Sequence, residues 1–307
     1  MNEFRRFRLD NDRDAQFAAL AVCRRTNRLL AAPSGGPLHL FSLCDGGRIW
    51  TRACESLVGM KSEPGLLTVT FSTDGGTILV ISSADERLHL IDACTGRVVH
   101  WLQLPNVAGN DCHAARMDPT GRYVLLRGCL GTACFSLSDG AMLWQEFGRD
   151  ECCSDSLHVT RHGNVVFSDA DACIQIRSVA SGGLQRRFRG ARDFVVSDDE
   201  TSVVCYQHGR GFTRFSLATG ESSGRFPFEA AVVRGAFDWS SRRARIVVAD
   251  DSHALEQLVV IDLQTEKVVD IEPFPDRDRC WGVVFSPQCE DAVLAIGEDC
   301  VVYEFRL

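Results

Sequence analysis

The sequence predicts an all-β chain, a seven-bladed β-propeller built from four-stranded antiparallel blades, and three observations carry that expectation. A short apolar pattern ending in a turn glycine recurs at a mean interval of 44 residues, inside the range of propeller blades. Between the copies lie short runs rich in Val, Ile, Leu and Phe, with no helical 3.6-residue stripe. The last repeat is one strand short, and a surplus strand-like segment stands near residue 4.

The repeat is read from its turns. FSLCDG ends at Gly46, IDACTG at Gly96, FSLSDG at Gly140, RSVASG at Gly182 and FSLATG at Gly220; IDLQTE reaches Glu266 without the glycine. The intervals are 50, 44, 42, 38 and 46 residues. Each turn from Gly96 onward follows, by 23 to 29 residues, a strand that ends at Phe71, Met117, Val159, Val196 or Phe237. The strand at Phe285 opens the last repeat. A second apolar strand lies between, as in TILVIS, YVLLRG and VVCYQ. The Asp-Gly, Thr-Gly and His-Gly-Asn sequences suit tight turns that need positive φ. Strands apolar throughout fit sheets covered on both faces.

The ends set the blade count. The last repeat supplies strands from Trp281, at AVLAIG and to Leu307, and then the chain stops. FRRFRL, Phe4 to Leu9, belongs to no other repeat. Six full units and one split unit make seven, with residues 4–9 completing the last blade. The expectation is one propeller domain over residues 1–307.

Composition narrows the function classes. The chain has 307 residues, 45% of them hydrophobic and 24% charged, and a formal net charge of −8. An acidic chain argues against nucleic acid as the main partner. Lys61 and Lys267 are the only lysines; arginine carries the rest of the positive charge, and it holds carboxylates in a two-pronged fork. The start, MNEFRRFRLDNDRD, is charged where a secretory signal is apolar. No apolar run approaches a membrane helix, so a cytoplasmic protein without membrane insertion is expected. The 14 cysteines read as reduced, buried, small hydrophobes.

The unit LTVTFSTDGGTILVISSADERLHLIDACTGRVV resembles a WD40-type repeat, and the likeness runs from about Phe17 to Leu307. Its signals are the FS-x-DG and FSP turns, an Asp between second and third strands, and the D-x-x-TG turn. The Gly-His and Trp-Asp dipeptides of that family are absent; Ile91-Asp92 and Ile261-Asp262 keep only the Asp. The likeness is to a divergent WD40-like propeller, or to the YVTN and quinoprotein-like propellers. GGRIW at Trp50, TGRVVHW at Trp101 and DGAMLW at Trp144 lean toward the last type.

Candidate site residues lie in loops. Four loops between second and third strands carry acids: Asp85-Glu86, Asp169 with Asp171, Asp250-Asp251 and Glu298-Asp299. They either line a carboxylate face that attracts basic partners or a hard cation, or cap their own turns. The segment Pro273 to Trp281 mixes Asp276, Arg277, Asp278 and Arg279 with Trp281, residue types enriched where partners bind. The loop Glu146 to Ser156 holds Asp150 and Glu151 beside Cys152-Cys153. Adjacent cysteines are poorly spaced for a tetrahedral ion, so no metal site is assigned. No nucleophile elbow, P-loop, zincin or Rossmann fingerprint occurs. No catalytic residue, cofactor or small-molecule substrate is therefore predicted.

The WD40 likeness implies a non-catalytic scaffold or adaptor that presents a loop-rich, partly acidic face to protein partners. The alternative is a propeller enzyme of the lactonase or quinoprotein-like type, with a metal or cofactor at a central channel.

Overall fold

The computed structural model describes residues 5–8, 17–33, 37–53, 67–82, 87–103, 112–128, 130–147, 156–191, 193–207, 210–227, 232–240, 245–250, 257–265, 267–273, 280–286, 292–297 and 301–306. Among these residues every regular element is a strand. Blade 1 holds β2 (Phe17–Cys23), β3 (Arg28–Pro33), β4 (Leu38–Ser42) and β5 (Arg48–Arg52). Blade 2 holds β6 (Leu67–Phe71), β7 (Thr77–Ser82), β8 (Arg87–Asp92) and β9 (Val98–Gln103). Blade 3 holds β10 (Cys112–Met117), β11 (Tyr123–Gly128), β12 (Gly131–Ser136) and β13 (Met142–Phe147). Blade 4 holds β14 (Leu157–Val159), β15 (Asn164–Ser168), β16 (Cys173–Ser178) and β17 (Leu184–Arg189). Blade 5 holds β18 (Asp193–Val196), β19 (Ser202–Gln207), β20 (Gly211–Ser216) and β21 (Ser222–Phe226). Blade 6 holds β22 (Val232–Ser240), β23 (Arg245–Asp250), β24 (Gln257–Asp262) and β25 (Lys267–Pro273). Blade 7 holds β26 (Cys280–Phe285), β27 (Ala292–Gly297) and β28 (Val301–Arg306), and β1 (Arg5–Arg8) completes it.

Each sheet is four-stranded, and its strands follow one another in chain order except in blade 7, where the order is β1-β28-β27-β26. The strand pairs are antiparallel; Arg5 faces Glu304 and Arg8 faces Val301. This is the seven-bladed β-propeller class. By internal contacts the chain divides into two compact units. One, Ala15–Asp171 with Gln175–Arg186, contains blades 1 to 3 and most of blade 4. The other, Met1–Asp14, Ala172–Ile174 and Arg187–Leu307, contains blades 5 to 7.

Apolar strands pack in the core because successive blades bury each other's faces. In the first unit, Leu30 and Leu40 of blade 1 meet Ile78 and Ile91 of blade 2. Leu79 and Leu88 of blade 2 meet Val124 and Phe135 of blade 3. In the second unit, Val204 and Phe212 of blade 5 meet Ile246 and Ile261 of blade 6. Val247 and Val260 of blade 6 meet Val293 and Tyr303 of blade 7. Fully burying a side chain of this size contributes about 1.5–3 kcal/mol.

The turn glycines earn their places by backbone shape. Gly46, Gly96, Gly140, Gly182 and Gly220 all have positive φ, between 66° and 74°. Each donates its N–H to the carbonyl four residues back, from Gly46 to Ser42 (2.9 Å) through Gly220 to Ser216 (2.8 Å). The first hairpin of each of blades 1 to 5 also holds a residue at positive φ, Asn27, Gly75, Gly121, Gly163 and Glu200 in turn. The two turns are tied together: Leu43 N donates to Asn27 O, Ala93 N to Gly76 O, Leu137 N to Arg122 O, Val179 N to Gly163 O and Leu217 N to Thr201 O.

Asn27 and Glu200 are the non-glycine members of that series, at φ 53° and 58°, and glutamate lacks asparagine's tolerance of this region. The left-handed region costs a non-glycine residue about 1–2 kcal/mol, part of which glycine's extra chain entropy would return. Glu200→Gly is therefore expected to stabilise the protein by about 0.5–1 kcal/mol, read from the denaturant midpoint. A lower midpoint would show that the Glu200 side chain contributes more than its backbone costs.

Outer strands lock to the next blade through aromatic rings. The Trp50 indole N–H donates to the Ala93 carbonyl (3.0 Å), and that of Trp144 to the Val179 carbonyl (2.6 Å). The rings cover the turn glycines: a Cβ at Gly96 would lie 3.0 Å from Trp50 Cδ2, and one at Gly182 only 2.6 Å from Trp144 Cγ. Phe188 covers Gly220 in the same way. Blade 5 departs from this. Gly224 pairs with Arg214 where Trp50 pairs with Leu40, and the Arg214 guanidinium lies 5.6 Å from the Trp239 ring.

Candidate interaction surface

Turn carboxylates are fixed by their own hairpins. Asp169 Oδ1 accepts the Asp171 N–H (3.0 Å), and Oδ2 accepts the Gln175 side-chain amide (2.9 Å). Asp169 therefore caps its own turn, the second of the two readings of the acidic loops. Buried Asp118 accepts the N–H groups of Thr120, Arg122 and Tyr123. Asp85, Glu86, Asp150, Glu151, Asp251, Asp276, Arg277, Asp278, Arg279, Glu298 and Asp299 lie outside the described residues. Asp250 ends β23 and Trp281 lies in β26; only their backbones are described.

Five turn carboxylates sit below their ordinary value of 3.8. Hydroxyl hydrogen bonds are the chief cause for four of them, from Ser72 to Asp74, Thr95 to Asp92, Ser136 to Asp139 and Ser197 to Asp199. For Asp262 it is the backbone N–H of Thr265. A depressed value means that folding favours the charged form. The contribution is complete above the unfolded value and is lost as pH falls below it. The melting temperature is expected to hold from neutral pH to about pH 5 and to fall as pH drops below about 4. Asn at Asp92 and Asp262 together is expected to shrink that fall. An acid limb of unchanged size would assign the effect to other groups.

The cysteines divide. Cys23, Cys112, Cys134 and Cys205 are buried thiols, and burial pushes the thiols of Cys134 and Cys205 up to about 12. Cys44 and Cys94 are exposed, against the expectation of buried cysteines. Both follow the first residue of a glycine turn, where the chain bends outward. His158 lies in β14 and His162 in the turn after it. Among the described residues no three His, Cys, Asp or Glu side chains group as metal ligands.

The most exposed apolar side chains belong mainly to the last strands of the blades. Ile49 is in β5, Val99 and Trp101 in β9, Met142, Leu143 and Phe147 in β13, and Leu184 in β17. Val99 is 62% and Phe147 78% exposed. Val268 and Val269 of β25 join them. The Arg87 guanidinium stacks 4.7 Å from the Trp101 ring, and Arg177 of blade 4 pairs with Glu146 of blade 3 at 2.9 Å. These strands end their sheets and are flanked by one strand only, which leaves more of their side chains exposed. The sequence held a trace of this in the apolar and aromatic residues that follow Gly46, Gly96 and Gly140. Strand periodicity alone could not separate them from core positions.

Fold and surface together define a repeat-built propeller whose outer strands present apolar and aromatic side chains. No protein-family model matches the chain, and no curated protein matches it.

Proposed function

We propose that this chain is a non-catalytic interaction platform, a cytosolic WD40-like scaffold or adaptor subunit that holds protein partners. The observation that carries the proposal is the apolar set on the outer strands, from Ile49 to Phe147. Single exposed apolar residues are ordinary. Their concentration on consecutive outer strands, with an Arg–Trp pair among them, is the composition of binding surfaces. Seven stiff sheets also carry variable loops at small cost in order, so the acidic loops and residues 276–281 remain proposed contacts.

Affinity purification from native lysate with mass spectrometry tests this. The expected result is a stoichiometric protein partner that is lost when Val99→Glu and Phe147→Glu are combined, with the melting temperature unchanged. Failure to recover any partner overturns it. A stoichiometric metal on the purified protein would favour the propeller-enzyme alternative.

A further inference from the structure

We propose that the outer rim of blades 1 and 2 is a docking site for an extended acidic segment carrying apolar anchors, seated beside β9. This rests on the interaction-platform reading and names the chemistry of one partner. The rim lies wholly within one compact unit.

In a chain of net charge −8, the charges here run the other way. Arg48 and Arg97 are exposed and form no ion pair among the described residues. Arg52 donates to the Thr95 carbonyl (3.2 Å), a neutral acceptor that leaves its charge uncompensated. Arg28 donates to the Ala93 carbonyl (3.4 Å), with Cys94 Sγ at 3.9 Å. Arg87 lies against Trp101. The nearby acids, Asp45 and Asp92, are committed to turns: Asp45 Oδ1 accepts Gly47 N–H (2.9 Å), and Asp92 Oδ1 accepts both Thr95 N–H and hydroxyl (2.7 Å each). Carboxylates are the natural complement to clustered guanidinium forks.

The apolar component comes from Ile49, Val99 and Trp101, each more than 40% exposed. β9 is the last strand of its sheet, so its outer row of N–H and C=O groups has no strand partner among the described residues. An added strand would take those groups, and its side chains would run beside Arg97, Val99 and Trp101. A phosphate backbone fits less well, because it gains nothing from Val99 and is repelled by the rest of the chain.

The test uses fluorescence polarisation with the full chain and a labelled nonapeptide of alternating glutamate and valine. Comparison probes are its lysine counterpart, a single-stranded oligonucleotide and phosphatidylserine vesicles. Saturable binding of the glutamate peptide is expected, weakened by salt. Combining Arg48→Glu with Arg97→Glu should weaken it by about tenfold or more, with the circular dichroism spectrum unchanged. Should that variant misfold, Val99→Glu alone should lower the affinity. Equal binding to wild type and variant, binding of the lysine peptide, or preference for the oligonucleotide or vesicles overturns the proposal. Lysate capture separates it from the broader reading: a partner retained by the double arginine variant overturns this site and leaves the platform standing. Peptide binding with no captured partner does the reverse.

Discussion

Deleting residues 1–10 is expected to lower the stability of the chain by about 3–5 kcal/mol and to promote aggregation. The deletion removes β1, whose four residues pair with Val301 to Glu304 of β28. Each backbone hydrogen bond contributes about 1 kcal/mol net. The larger consequence is exposure. Val301, Val302, Tyr303 and Phe305 are each 1% exposed in the complete blade, and β28 would become a bare edge of β-branched and aromatic residues, the kind that pairs with other chains. Unfolding midpoint and size-exclusion profile check this. A truncated protein that elutes as wild type and melts at the same temperature would mean that blade 7 stands on three strands.

Gly182→Ala is expected to cost about 3 kcal/mol or more, a large effect for one methyl group. Two penalties combine. An alanine at φ 67° carries left-handed strain of about 1–2 kcal/mol, and its Cβ would sit 2.6 Å from Trp144 Cγ, an overpacking penalty of about 1–3 kcal/mol. Relief requires moving the indole, which breaks its bond to the Val179 carbonyl. Trp144→Phe, which keeps the ring and deletes the donor, should cost about 1–2 kcal/mol. Combining Gly182→Ala with Trp144→Ala should cost less than the two single changes added, because the clash partner is gone. Additive losses in that double-mutant cycle would show that the ring and the turn do not act as a pair.

The same ring and turn show why part of the molecule was legible in advance. Turn glycines are local: φ at Gly96 or Gly182 is set within a few residues, so their recurrence near every 44 residues gave the length of a blade before any contact was known. The surplus strand at residues 5–8 could be matched to the last repeat by counting. Asp169 capping its own turn is local for the same reason. The surfaces are another matter. Trp50 reaches Ala93 and Arg52 reaches Thr95, in each case 43 residues away, about one repeat period. The sequence period thus becomes the distance between touching residues, but it does not tell which side chains meet. Cys44 and Cys94 follow the buried Leu43 and Ala93 but are themselves exposed in the turns LCDG and ACTG.

By itself, then, the sequence determined the strand content, the blade number and the turns, because these depend on backbone preferences repeated along the chain. Only the tertiary structure decided which side chains of the outermost strands stay exposed, Val99 and Phe147 among them. It also decided that Arg28 and Arg52 of blade 1 both reach the turn of blade 2 that ends at Arg97. That meeting follows from sheet packing between blades, which brings together residues that no local pattern links.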